Sequence, residues 1–168
     1  MKILKFALLA IITFLAISVA TAQEKPKSPA EKVSGMINGA TIQINYGSPS
    51  VRGREIWGKL VPFGEVWRAG ANEATTFETN KDLLIEGLRL PAGKYSFFVI
   101  PSQTECVIIF NKEPKQWGAY KYDERKDQLR VKVKQQIADS STEKLTYIIN
   151  ATDVELVWEK WIIGFSVK

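Results

Sequence analysis

Arginine and tryptophan side chains are concentrated in one stretch of the chain, residues 46–75, which also contains a glycine or proline every few positions. We call this stretch the first irregular segment. A backbone interrupted so often cannot be held by a regular hydrogen-bonding ladder, so its side chains must order it. Guanidinium groups bind carboxylates or phosphates through paired hydrogen bonds, and aromatic faces accept sugar rings or cations. The composition therefore predicts either a functional surface or a structural clamp.

Residues 112–127 form a second irregular segment, which is rich in aromatic and charged residues. If the two segments meet in space, they create one Arg/Trp-rich loop surface that suits a small polar or anionic ligand, or a carbohydrate. Trp67 and Trp117 are the better candidates for a pocket wall, because each lies beside a polar residue or a glycine. The candidate ligand-binding residues are Arg52, Arg54, Trp67, Arg68, Asn72, Glu73, Trp117, Tyr120 and Asp123.

The structural alternative is that the arginines pair with acidic residues inside the protein and fix long loops to a sheet. An exposed ion pair contributes only ~0–1 kcal/mol, whereas breaking a buried pair costs ~3–5 kcal/mol. A buried Arg–Glu clamp would therefore be retained for stability alone. The residue types fit a clamp and a ligand site equally well, and both interpretations stay open at this point.

Catalysis is the second alternative, and the absence of histidine restricts it. Histidine-based triads, histidine metal sites and histidine pH switches are excluded. Glu73 and Asp123 are the carboxylates that could act as a glycosidase-type pair. No nucleophile motif, phosphate loop or calcium loop is present, so we expect a non-catalytic protein without cofactor or metal.

The charge and cysteine content exclude further classes. The formal net charge is +5, with basic and acidic residues mixed along most of the chain, so nucleic-acid binding is not expected. Basic residues from Arg130 to Lys134 alternate with apolar ones, which is typical of the solvated face of a protected edge strand. Cys106 is the only cysteine and cannot form an internal disulfide; its apolar neighbours predict burial.

The first 22 residues have the features of an export signal. Lys2 and Lys5 precede an apolar run of about 15 residues, shorter than the ~20 of a spanning helix, and Ala20-Thr-Ala22 fits a cleavage site. We expect cleavage after Ala22, a periplasmic or secreted location and no membrane span in the mature chain. The predicted organisation is a signal peptide (1–22), an N-terminal lead-in (23–39) and a single domain (40–168), of unknown oligomeric state.

Strict alternation of apolar and polar residues over 40–46 predicts a half-buried strand, and similar patterns recur to the C-terminus. Residues 94–100 and 105–110 are apolar on both faces and are predicted to be central strands. About nine strands indicate an all-β fold, an antiparallel β-sandwich that is jelly-roll-like or, alternatively, an up-and-down barrel.

Three local predictions complete this fold. Leu90-Pro-Ala-Gly93 is predicted to join residues 82–90 and 94–100 as a hairpin, because proline and glycine suit a type I turn there. Residues 55–61 are long enough for one or two helical turns before Pro62 ends them. Strands over 153–159 and 161–167 flank Lys160, which marks a bulge or a tight bend. Trp158 and Trp161 lie in these strands and are predicted to pack in the core.

The motifs Pro49-Ser-Val-Arg-Gly-Arg54, Val66-Trp-Arg-Ala-Gly-Ala-Asn-Glu-Ala-Thr75 and Gln116-Trp-Gly-Ala-Tyr120 resemble those of a bacterial exported family of unknown function, domain of unknown function 2911. The similarity covers nearly all of the chain after the leader. Ser48 stands where members often carry a basic residue. The resemblance implies export and a β-rich single domain but supplies no activity. Its motif positions single out the candidate residues given above, from Arg52 to Tyr120.

Overall fold

The computed structural model describes residues 27–168, so the predicted signal peptide and its cleavage site lie outside the described residues. The described chain contains ten strands and one short 3-10 turn at Glu124–Lys126, which confirms the all-β prediction. The strands are β1 (Ala30–Ile37), β2 (Ala40–Gly47), β3 (Thr75–Thr79), β4 (Leu83–Ile85), β5 (Leu88–Leu90), β6 (Gly93–Ile100), β7 (Cys106–Asn111), β8 (Asp127–Val133), β9 (Gln136–Ile149) and β10 (Asp153–Ser166).

Six strands form one antiparallel sheet in the order β1-β2-β3-β6-β7-β8. The long strands β9 and β10 pair with each other as a second layer, and β4 pairs with β5. Neighbours in the large sheet follow one another along the chain, apart from the inserted β4–β5 pair. The described part of the chain is thus a sandwich-like meander rather than a jelly roll, and its large sheet has β1 and β8 as edges.

The core lies between these two layers because each strand alternates apolar and polar residues. Ile42 and Ile44 of β2 and Phe97 of β6 are buried on the inner face of the large sheet. Tyr147 of β9 and Trp158 of β10 approach from the other layer and belong to the same buried cluster. Since period-2 alternation places every second side chain on one face, the polar residues of β2 point away from this core.

The central strands β6 and β7 are covered on both faces, as predicted. A second, smaller apolar cluster on their outer face contains Phe98 and Ile109, with Ala119 and Tyr122 of the second irregular segment packed against it. The 112–127 segment is therefore held on the outer face of the sheet by apolar burial. Cys106 is fully buried in β7, and the basic residues of β8 line an exposed edge, both as predicted.

The lead-in prediction missed a strand, because residues 30–37 form β1 and pair along their whole length with β2. The connection is Asn38-Gly39, and both residues have positive φ, +49° and +75°. An Asn-Gly dipeptide is the strongest short-range hairpin signal, since both central positions of a type I′ turn require positive φ. The structured chain therefore begins before residue 40.

The predicted hairpin between residues 82–90 and 94–100 is wrong. Residues 83–90 form their own small hairpin, β4–β5, whose turn is Glu86-Gly87 with φ of +49° and +80°. Strand β6 pairs instead with β3 and β7. Glu-Gly gives a tight two-residue turn, and Leu90-Pro-Ala-Gly93 only leads the chain from this hairpin into the sheet.

Two further predictions concerned turns. No helix forms over 55–61; Gly58 has φ of +84°, which interrupts a right-handed helix, and the 3-10 turn lies at Glu124–Lys126 instead. The predicted bulge near Lys160 is confirmed, because the β9–β10 register shifts on both sides of Glu159. The chain there is one bent strand rather than two.

Within residues 27–168 no helix has the length and apolarity needed to cross a membrane.

Candidate functional site

The two irregular segments meet on the outer side of the large sheet. The backbone N–H of Ala74 donates to the carbonyl of Gln116 over 2.9 Å, and that of Gly118 donates to the carbonyl of Asn72 over 3.1 Å. Glu73 and Trp117 therefore lie opposite each other as an antiparallel bridge. Two motif segments that are about 40 residues apart in sequence thus form one surface.

Very close backbone packing orders the first irregular segment. A Cβ atom added to Gly47 would lie 2.2 Å from the carbonyl oxygen of Ala71, and Gly47 accepts a backbone hydrogen bond from Ala71 at 3.1 Å. Ala69 is buried with φ of +52°, and its carbonyl accepts hydrogen bonds from the hydroxyls of Thr75 and Tyr147. These contacts hold the loop at the end of β2 and fix where Asn72 and Glu73 stand.

Arg52 and Asn72 attach the chain that leads into β1. Arg52 Nη2 donates to the carbonyl of Lys27 at 2.9 Å, and Asn72 Nδ2 donates to the carbonyl of Ser28 at 3.2 Å. The backbone N–H of Ser48 donates to Pro29 next to them. Both motif side chains therefore serve as hydrogen-bond donors to backbone of the same N-terminal stretch.

Arg54 and Trp67 are also used within the protein. Arg54 donates from Nε to the carbonyl of Val51 and from Nη2 to that of Ser50. Trp67 is half-buried; it stacks on Trp158 with ring centroids 5.9 Å apart and meets Trp57 edge-on. The predicted core position of Trp158 is confirmed, since this residue is fully buried, whereas Trp161 is half-buried and packs against the core by stacking on Trp57. Trp67 belongs to this aromatic cluster.

Asn111, at the end of β7, organises the second irregular segment. It is fully buried, and its Nδ2 donates to the carbonyl of Asp123 at 3.0 Å and to Asp127 Oδ1 at 2.8 Å. Its Oδ1 accepts from the N–H of Glu113 and from Gln116 Nε2. One amide therefore ties together the start, middle and end of the segment. The sequence analysis missed this residue, because an asparagine at a strand end has no distinctive signal.

A polar network beside Asn111 holds the other end of the segment. The Tyr122 hydroxyl donates to Asp127 Oδ2 and accepts from Arg130, which also pairs with Asp127. Burial and the hydrogen bond to Asp127 raise the pKa of Tyr122 to about 12. Asp123 instead pairs with Arg125, whose hydrogen bonds lower the pKa of the Asp123 carboxyl. Asp123 thus has its ion-pair partner in Arg125.

Tyr122 is expected to make stability fall at high pH. Its folded-state pKa is raised above the ordinary value of 10.0. The contribution of Tyr122 to the free energy of unfolding is therefore complete below pH 10 and is lost as the pH rises towards about 12. In Tyr122→Phe, unfolding by urea should depend less on pH in this window than in the parent protein. The phenolate absorbance that appears near pH 12 should fall by one tyrosine. If the two proteins differed in free energy of unfolding by the same amount at pH 9 and at pH 12, this assignment would be contradicted.

An open groove of about 950 Å³ lies beside the junction of the two segments. We call it the sheet groove. Outward-facing side chains of the sheet contribute Lys32, Gln43, Asn45, Thr76 and Lys94. The loops contribute Asn72, Glu73, Pro114, Lys115 and Trp117. The indole of Trp117 is 63% exposed, and the phenol of Tyr120 on the same turn is 82% exposed.

The structure brings only some of the predicted site residues together. Asn72, Glu73 and Trp117 line the sheet groove, whereas Arg52, Arg54, Trp67, Arg68, Tyr120 and Asp123 do not. The sequence analysis missed the amide and hydroxyl residues of the strands, although their signal was present. Gln43 and Asn45 are polar positions of the alternating 40–46 pattern, from which only a half-buried strand was predicted.

The ion pairs of residues 27–168 do not include an arginine–glutamate clamp in the first irregular segment. None joins Arg52, Arg54 or Arg68 to a carboxylate in this part of the chain. Arg52 and Arg54 bind backbone carbonyls instead. Three or more acidic or cysteine side chains arranged to hold a metal ion are not found among the described residues.

Comparison with known proteins gives one match. The model of a family described as protein of unknown function, DUF2911, matches residues 28–167, which is most of the chain. No curated protein and no solved structure matches the chain.

Proposed function

The chain belongs to the DUF2911 family of proteins of unknown function, and we propose that it is an exported, non-catalytic module that binds a saccharide in the sheet groove. The single observation that carries the proposal is the exposed Trp117, whose backbone is anchored beside a polar strip of β-sheet.

Trp117 has the features of a stacking platform. A large aromatic side chain is normally buried, and an indole that is 63% exposed leaves apolar surface in water. Its backbone is fixed on both sides, because Gln116 and Gly118 are hydrogen-bonded to the first irregular segment. An aromatic residue on backbone that is already ordered can bind the apolar face of a sugar ring without the cost of ordering that backbone on binding.

The floor of the groove supplies hydrogen-bonding groups suited to sugar hydroxyls. Gln43 and Asn45 carry amides that both donate and accept, and Thr76 carries a hydroxyl within 3.2 Å of Asn45 Nδ2. Charges of both signs also line the groove, from Glu31 and Glu73 and from Lys32, Lys94 and Lys115. Such a mixture recognises a neutral, many-hydroxyl ligand better than a single strong charge would.

The size of the groove favours an oligosaccharide. Its volume of about 950 Å³ is at the upper end of the ~300–1,000 Å³ that small-molecule sites occupy. The groove is also open along the sheet face rather than enclosed. Both properties suit an extended ligand of several rings.

Binding fits this arrangement better than the alternative of hydrolysis. A glycosidase of the proposed type would need Glu73 and Asp123 in one cleft, ~5–9.5 Å apart. Glu73 lines the sheet groove, whereas Asp123 is paired with Arg125 outside it. The residues that line the groove form a recognition surface without the proposed acid–base pair.

The test is calorimetric titration of the protein with a panel of neutral oligosaccharides, using Trp117→Ala and Tyr120→Ala. We expect at least one oligosaccharide to bind the parent protein and Trp117→Ala to weaken that binding tenfold or more, about 1.4 kcal/mol. Tyr120→Ala is the matched control, since this aromatic is exposed on the same turn but does not line the groove. It should bind like the parent. Both variants should keep their stability, because surface truncations usually change it by ~0.5 kcal/mol or less.

Two results would overturn the proposal. One is that no oligosaccharide of the panel binds the parent protein. The other is that Trp117→Ala binds as tightly as the parent, which would place the ligand away from the groove.

A further inference from the structure

Among residues 27–168, Arg68 is the motif arginine whose side chain has neither a hydrogen-bond acceptor nor an ion-pair partner. Its Nε is buried and has no hydrogen-bond acceptor among residues 27–168, and its guanidinium forms no ion pair in that part of the chain. Arg52 and Arg54, by contrast, each donate to backbone carbonyls. The neighbouring arginines thus have structural partners, and Arg68 differs from them.

The guanidinium lies beneath the turn that carries the exposed aromatics. A Cβ atom added to Gly118 would be 3.2 Å from Arg68 Nη1 and 3.0 Å from the ring of Tyr120. Arg68 and Tyr120 therefore flank the same glycine, and neither lines the sheet groove. Lys121, the next residue of the turn, is exposed and adds a second positive charge.

A half-buried guanidinium without an acceptor is unfavourable for the protein by itself. Burying a charge that is not paired costs far more than burying a paired one, and such groups normally find a carboxylate or a carbonyl. Replacing it with an apolar side chain of similar shape is then neutral or stabilising. An arginine kept under these conditions, on a surface with exposed aromatics, fits a role in binding a ligand from outside.

We propose that Arg68 and residues 118–121 form a binding site for an oxyanion, a carboxylate or phosphate group, separate from the sheet groove. The guanidinium fork matches both groups, because two parallel N–H donors can reach two oxygens of either. The backbone of Gly118 lies close to Nη1, and its φ of +65° favours glycine at this position. This site does not depend on saccharide binding in the groove.

The test is thermal unfolding in increasing inorganic phosphate or acetate, with sodium chloride at equal ionic strength as the reference. We expect a saturable rise in Tm for the parent protein with at least one of the two anions. Arg68→Met should lose this rise and, in chloride, should unfold at the same temperature as the parent or higher. Arg54→Met is the matched control and should keep the anion response, because Arg54 serves only its own loop. A response to phosphate alone or to acetate alone identifies which oxyanion the site takes.

Trp117→Ala separates this site from the groove, because Trp117 lines the groove and lies outside residues 118–121. It should weaken saccharide binding tenfold or more and leave the anion response intact. Three outcomes would overturn the proposal: no anion-specific rise in the parent protein, an undiminished rise in Arg68→Met, or a clear loss of stability of Arg68→Met in chloride. The last outcome would identify Arg68 as a structural residue.

Discussion

Replacing Asn111 with alanine is expected to lower the free energy of unfolding by about 3 kcal/mol. The side chain is fully buried and makes four hydrogen bonds, each of which contributes ~0.5–1.5 kcal/mol, with more for the charged Asp127. Truncation also removes the hydrogen-bond partner of four part-buried groups, which belong to Asp123, Asp127, Glu113 and Gln116. Urea denaturation of the parent and variant proteins measures the loss directly.

The loss should be local as well as global, because the amide holds the second irregular segment. Lys115 and Lys121 in that segment are exposed trypsin sites, and we expect trypsin to cut there faster in Asn111→Ala under native conditions. Asn80→Ala is the matched control. Asn80 is exposed and accepts one hydrogen bond, from the N–H of Thr41, so its removal should cost about 1 kcal/mol or less and leave trypsin cleavage unchanged. Equal effects of the two substitutions would show that Asn111 does not organise the segment.

Gly47→Ala is expected to destabilise the protein by about 3 kcal/mol or more. The added Cβ would be 2.2 Å from the carbonyl oxygen of Ala71, a distance that no relaxed structure tolerates. The obstructing atom belongs to backbone that is hydrogen-bonded to Gly47 itself, so it cannot move without breaking the end of β2 from the loop. Overpacking usually costs ~1–3 kcal/mol, and a backbone clash lies at the upper end or beyond. Thermal or urea unfolding provides the measurement.

Gly164→Ala is the control for this prediction. Gly164 also lies in a strand and lacks a positive φ, but an added Cβ would meet its nearest neighbour, the Glu155 side chain, at an ordinary 3.6 Å. Its substitution should change stability by less than about 1 kcal/mol. The two glycines differ in the space around them. A similar loss of stability in both variants would therefore mean that the backbone clash at Gly47 is not its cause. A stable Gly47→Ala would mean that the loop at Ala71 adapts.

Local patterns in the sequence were enough to predict the framework. Alternation over 40–46, two-sided apolarity over 94–100 and the basic edge of β8 each follow from period-2 geometry, which a sequence displays directly. The hairpins were readable too, since Asn38-Gly39 and Glu86-Gly87 are local turn signals, although the sequence analysis did not use them. These features need only neighbouring residues.

The partners of the polar side chains were not predictable in this way. Arg52, Arg54 and Arg68 look equivalent in the sequence, yet two of them bind carbonyls and the third has no acceptor among the described residues. Trp67 and Trp117 also look alike, but one packs among aromatics and the other is exposed.

By itself, the sequence determined that the chain forms an all-β framework with two irregular segments, because strand patterns and turn residues act over a few positions. Only the tertiary structure decided which groups meet: it joined Glu73 to Trp117, paired Asp123 with Arg125 and lined the groove with Gln43 and Asn45. These contacts span from about 30 to more than 70 residues of chain. Whether distant side chains meet depends on how the strands pair and how the loops pack on them, which no local pattern records.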